Sequence, residues 1–139
     1  MNIQEINTYT VPIKGDKILV VKRKNGFWEF PGGKIEWGEN PREAAIRECK
    51  EEVGAEPEEM LFVGTTSAVY EKEGDIKHSI YLIYLVRKLK NKESEKESEI
   101  VLSSEHDEYR WLTIDELKFL KLGLNAEPVP ELIEDLMQE

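Results

Sequence analysis

Apolar residues recur along this chain in two different periods, and the change from one to the other divides it into elements. Ile18-Leu-Val-Val21 is an unbroken apolar run after the turn signal Lys14-Gly15-Asp16-Lys17, which predicts a buried strand with a partner strand over Asn7 to Ile13. Asn25-Gly26 marks the next turn, before the aromatic stretch Phe27-Trp-Glu-Phe30 and the glycine pair of Pro31-Gly32-Gly33. Between Asn40 and Gly54 the period becomes helical: Ala45, Cys49 and Val53 form an i, i+4, i+8 line with Ile46 beside it. Asn40 suits the N-cap, Pro41 the first helical position and Gly54 the C-terminal stop, and Glu43 falls three residues after the cap.

Strands are expected over Met60 to Tyr70 and His78 to Arg87, joined as a hairpin by Glu73-Gly74-Asp75. Lys88 to Glu99 is almost wholly charged and predicts a mobile loop. Tyr109 to Leu112 predicts a short strand, and Thr113-x-x-Glu116 is a capping box for a helix through Leu120. Pro130 to Gln138 predicts a closing amphipathic helix. Strands, helix, strands and helix in this order give an α+β fold with helices on both sides of a mixed sheet.

At 139 residues, the chain suits one domain over 1–139, able to bury about two-thirds of its unfolded surface. A net charge of −10 disfavours duplex nucleic acid, whose phosphates an acidic surface repels. The longest apolar run, Ile80 to Val86, is too short to span a membrane, and the N-terminus lacks signal-peptide character, so the expectation is a cytoplasmic protein with no membrane partner. The single cysteine, Cys49, excludes an intramolecular disulfide and reads as a packing residue.

Chemistry concentrates on the central helix. Glu48, Glu51 and Glu52 stand at i, i+3 and i+4, so three carboxylates share one face and repel by roughly 0.2–0.5 kcal/mol per pair. A cation would relieve that repulsion. All the donors are hard oxygens, which points to Mg2+ or Mn2+.

Residues 33–55 resemble the signature of the Nudix hydrolases, Gly-x5-Glu-x7-Arg-Glu-U-x-Glu-Glu-x-Gly-U with U a bulky aliphatic. Gly33, Glu39, Arg47, Glu48, Glu51, Glu52 and Gly54 fall at the required spacing. Cys49 and Ala55 depart from it by being small at the U positions, and Phe30-Pro31-Gly32 upstream is also typical of the family. The resemblance implies a Nudix-type α/β/α sandwich. It also implies metal-dependent hydrolysis of a nucleoside diphosphate linked to a further group. Glu51 and Glu52 would be direct metal ligands, Glu48 a third ligand or the acceptor of the water's proton, and the Gly32 carbonyl a further donor. Arg47 would orient the carboxylates, paired with Glu39.

An additional ligand or base is expected from the loop before Trp111, and Glu105 has the family spacing, with Glu108 the alternative. His106 reads as a bystander. Arg23 with Lys22 are candidate phosphate contacts. Trp28 or Phe27 could stack a base or belong to the core, and Tyr70 lies near the region where dinucleoside polyphosphate hydrolases carry a tyrosine. The expected partner is a small nucleotide. Nucleoside triphosphate pyrophosphohydrolysis and dinucleoside tetraphosphate cleavage compete as the activity. ADP-ribose or sugar-nucleotide hydrolysis and a non-catalytic nucleotide sensor stand as alternatives. A homodimer is a further expectation, since family members often dimerise.

Overall fold

The computed structural model describes residues 1–90 and 100–138. Strand β1 (Asn2–Lys14) is its axis. Its N-terminal stretch pairs in parallel with β6 (Asp75–Lys90), from Asn2 opposite Ile76 to Pro12 opposite Val86. Residues Asn7 to Tyr9 also pair antiparallel with β4 (Gly32–Lys34), while Ile13 and Lys14 turn to β2 (Lys17–Arg23). β5 (Glu56–Lys72) continues the sheet beyond β6, and β3 (Trp28–Glu29) and β7 (His106–Leu112) both pair with β2.

The helices lie on opposite faces of this mixed sheet. β2 shows why: Leu19 and Val21 pack towards α1 (Pro41–Val53), where Cys49, Val53, Val86 and Leu89 complete one core. Ile18 and Val20 alternate to the other side and meet Tyr9, Val11, Trp28, Phe30, Ile83 and Leu85. That second core is closed by Leu117 of α2 (Ile114–Leu117) and by Val129 and Ile133 of α3 (Val129–Ile133). A strand buried on both faces reads as continuous apolar sequence, and each such side chain contributes about 1.5–3 kcal/mol. The expected α/β/α sandwich is the observed architecture.

The helix signals of α1 act as expected. Asn40 accepts from the Arg42 N–H at 2.9 Å, and Gly54 adopts φ 70°, its N–H closing on the Lys50 carbonyl at 3.0 Å. Ala45, Cys49 and Val53 are fully buried, joined by Ala44.

Elsewhere the boundaries move. Most strands exceed their predicted limits because cross-strand hydrogen bonds carry polar residues that the apolar pattern leaves out. Lys88 to Lys90 is thus strand, paired with Glu56 to Glu58, rather than the start of a loop. Residues 91–99, the remainder of the predicted loop, lie outside the described residues. The glycine pair is strand β4. α2 ends at Leu117, three residues short of Leu120, and the closing helix breaks into α3 and a 3-10 turn over Asp135–Gln138. No helix among the described residues is long and apolar enough to cross a membrane.

Candidate active site

Arg47 organises the carboxylate-bearing face of α1. Its Nε and Nη2 donate to the two oxygens of Glu39 at 2.8 and 2.9 Å, and its Nη1 to Glu48 at 2.8 Å and Glu51 at 3.4 Å. Nη2 also reaches the Lys34 carbonyl at 3.1 Å, fastening the loop before the helix. The planar fork is what permits this, since one guanidinium can engage two oxygens of one carboxylate while still donating to others. The Arg47 hydrogen bonds and the Glu36 N–H hold the Glu39 carboxyl down at about 2. The expected pairing of Arg47 with Glu39 is present.

The three carboxylates of the signature differ sharply in environment. Glu51 is open, its side chain 59% exposed. Glu48 is partly sheltered; burial raises its pKa, the Arg47 guanidinium opposes that rise, and the nearby charges of Glu51 and Glu105 add to it. Glu52 is only 5% exposed, and its Oε2 accepts the Gly32 N–H at 2.9 Å. Burial pushes its carboxyl up to about 9, with the negative charges of Glu29, Glu48 and Glu105 adding to the rise.

Gly33 explains how these groups approach the sheet. A Cβ there would stand 2.7 Å from the Glu48 carboxyl carbon.

Glu105 lines a recess of about 350 Å3 with Arg23, Lys24, Asn25, Glu29 and His106. On the other side of Arg23 lies a cleft of about 340 Å3, lined among others by Tyr9, Phe27, Tyr70, Tyr81 and Asn125. The Tyr9 and Tyr81 rings stack there with centroids 4.1 Å apart. Tyr70 shares a hydrogen bond of 3.1 Å with Ser79.

Among the described residues, no three His, Cys, Asp or Glu side chains converge closely enough to hold a metal ion as placed. The donor chemistry nevertheless fits a hard divalent cation. Glu52 is a buried carboxylate that feels the negative charges of Glu29, Glu48 and Glu105, and the last two offer oxygen donors beside it.

Three sequence-based candidates are placed elsewhere. Trp28 is a core residue, 5% exposed, with the Arg110 guanidinium 4.9 Å from its ring centroid, so a base has no face to stack on. Lys22 lines neither cavity and pairs with Glu108 at 3.8 Å across β2 and β7. That pairing, and a contact of 3.3 Å with Arg110, leaves Glu108 on the sheet surface and away from the recess.

Conversely, Glu29 carries no motif in the sequence, although it joins Arg23, His106 and Tyr9. Its only signal is that of a lone acid among the aromatics Phe27, Trp28 and Phe30, where strand alternation must turn Glu29 away from the core. His106, a bystander by sequence, is buried against it.

The NUDIX domain profile matches residues 6–136, and the chain belongs to that family. It is 31% identical to the 8-oxo-dGTP diphosphatase of Buchnera aphidicola subsp. Schizaphis graminum over 131 residues, 91% of this chain and 88% of the relative. A match of 37% identity to the 8-oxo-dGTP diphosphatase of Proteus vulgaris takes in 51% of this chain and 60% of that relative, so it spans less than two-thirds of the curated protein. In fold, the chain superposes on the MutT NUDIX hydrolase from Burkholderia pseudomallei with a TM-score of 0.81, covering 94% of this chain and 98% of that one at 24% identity.

Proposed function

We propose that this chain hydrolyses a phosphoanhydride bond of a nucleoside triphosphate with a divalent cation, Mg2+ or Mn2+, releasing the nucleoside monophosphate and pyrophosphate. The observation that carries the proposal is the position of Arg23. It lines both the aromatic cleft and the recess that holds Glu105, where a guanidinium meets a phosphate chain leaving a bound nucleoside. The likeness to diphosphatases of 8-oxo-dGTP supports a purine deoxynucleotide as the first substrate to try.

In this proposal the nucleoside occupies the cleft, where Phe27 and the tyrosines offer aromatic surface and Asn125 a side-chain amide. Glu48, Glu51, Glu52, Glu105 and the Gly32 carbonyl are the proposed donors to the cation. When bound, the cation neutralises phosphoryl oxygens and lowers the pKa of water. Arg47 holds Glu48 in place and Gly32 holds Glu52. Whichever of Glu48 or Glu105 stays free of the cation is the acceptor for the proton of the attacking water. A chain of net charge −10 needs both the cation and Arg23 to admit a polyphosphate.

The test is a panel of nucleoside triphosphates, 8-oxo-dGTP, dinucleoside tetraphosphates, ADP-ribose and sugar nucleotides with Mg2+ or Mn2+, with products resolved by chromatography. Wild type is expected to turn over a triphosphate fastest, and Glu52→Gln to lose turnover while remaining folded. Full activity in Glu52→Gln would reject the assignment to this helix. A clear preference for one of the other substrates would reject the triphosphate.

A further inference from the structure

Arg23 ends β2, and an arginine at a strand end has many rotamers to choose from. Here one is enforced. Its Nη2 donates to Glu29 Oε1 at 2.7 Å, an oxygen that also accepts the Tyr9 hydroxyl at 3.3 Å. The other oxygen, Glu29 Oε2, meets His106 Nε2 at 3.0 Å. Since an ionised carboxylate only accepts, Nε2 carries the proton. His106 has a side chain 2% exposed, and among the described residues its Nδ1 finds no hydrogen-bond partner, so Glu29 is what fixes the polar edge of the ring.

The backbone builds the same arrangement. Arg23 and His106 are cross-strand partners, and the register of β2 and β7 slips between Lys22 and Arg23, a bulge that re-aims the side chains beyond it. Gly123 lies beside the guanidinium, where a Cβ would make ordinary van der Waals contact with Nη2 at 3.9 Å. A carboxylate this near to Glu52 and Glu105 adds negative charge where a polyphosphate must enter. Burial alone would raise the Glu29 pKa, yet the His106 and Arg23 hydrogen bonds leave it lowered, so the acid is kept as an anion.

We propose that Glu29, clamped by His106 and Tyr9, is a positioning residue that holds the Arg23 guanidinium at the junction of cleft and recess, presenting its remaining N–H groups to the first phosphate of the bound nucleotide. This rests on the nucleotide reading above and names the residues that set where its phosphate chain begins. Glu29 touches no reacting atom; it acts through Arg23.

The test is calorimetric binding of dGMP and deoxyguanosine to wild type, Glu29→Gln, Arg23→Ala and the double variant, each checked for folding by thermal unfolding. Glu29→Gln is expected to weaken dGMP by about 10-fold and deoxyguanosine by under about twofold, and to add under about twofold for dGMP in the Arg23→Ala background. His106→Gln, whose amide can still donate to Glu29, should keep most of the dGMP affinity that His106→Leu loses. Equal losses for nucleotide and nucleoside, or the full Glu29 effect persisting without Arg23, would overturn the proposal. So would wild-type binding of dGMP no tighter than deoxyguanosine. Turnover by wild type is measured separately, so an inactive enzyme would reject the hydrolase function while this binding comparison still decides the role of Glu29.

Discussion

Replacing Glu52 with glutamine should make the metal-free protein more stable, relative to wild type, as pH rises. In the unfolded chain this carboxyl titrates at its ordinary 4.5, whereas in the fold burial moves it to about 9. Between those values the folded state binds more protons than the unfolded one, so stability falls with rising pH. The contribution of Glu52 is fully present below 4.5 and is lost as pH climbs through 9. Each unit of that interval is about 1.36 kcal/mol. From pH 5 to pH 8 the wild type should therefore lose roughly 3–4 kcal/mol that the variant keeps. The amide that Glu52→Gln introduces would still accept the Gly32 N–H, but its own protons need partners, a cost of about 1–3 kcal/mol that does not vary with pH. The change in the difference is thus the informative quantity. Urea unfolding of both proteins in EDTA at pH 5, 6, 7 and 8 measures it. Added Mg2+ should narrow the gap at pH 8, because a cation favours the ionised carboxylate. A gap that stays constant from pH 5 to pH 8 would refute the burial argument.

Two adjacent glycines should fail differently. A Cβ at Gly32 would meet the Thr8 carbonyl oxygen at 1.9 Å, so Gly32→Ala must displace backbone and should cost about 2 kcal/mol or more by thermal or urea unfolding. The nearest atoms to a Cβ at Gly33 belong to the Glu48 carboxyl rather than to backbone, so Gly33→Ala should unfold near the wild-type temperature yet lose about 100-fold in kcat. Cys49 is fully buried and its thiol is pushed up to about 12, so it should resist a thiol reagent in the native protein and react in full once urea is added. Trp28→Ala should cost about 3–5 kcal/mol of stability in urea unfolding, as expected of a core aromatic. A stable variant with weakened nucleotide binding would instead return Trp28 to the cleft.

How much of the molecule is legible in its sequence follows the range of the forces involved. α1 is legible almost residue by residue because caps, apolar line and carboxylate face are local properties of a 3.6-residue period. The same holds for the Glu73-Gly74 turn, whose two positive φ values of 52° and 84° suit a tight hairpin. Strand ends are less legible, since the cross-strand pairs that extend β6 to Lys90 join residues thirty or more positions apart. The aromatics of the cleft show the same limit. Phe27 and Trp28 are equivalent as sequence, and only the neighbouring strands decide that one lines a cavity and the other fills the core. Glu29, Tyr9 and His106 come from three separate strands, and no local signal joins them.

The parallel pairing of β1 with β6 also dictates an order of assembly. Asn2 meets Ile76, so everything between them, α1 included, lies within a loop that pairing must close. Loop closure of this length is slow compared with forming a helix or a hairpin. The helix with its carboxylates and the β5–β6 hairpin can each form early, but β4 has no sheet to join until β1 is in place. The Gly32 N–H is held beside Glu52, and Gly33 beside Glu48, once β4 has paired with β1. Activity should accordingly recover later than helical signal during refolding, and local opening of β6 should silence the enzyme while α1 is still wound.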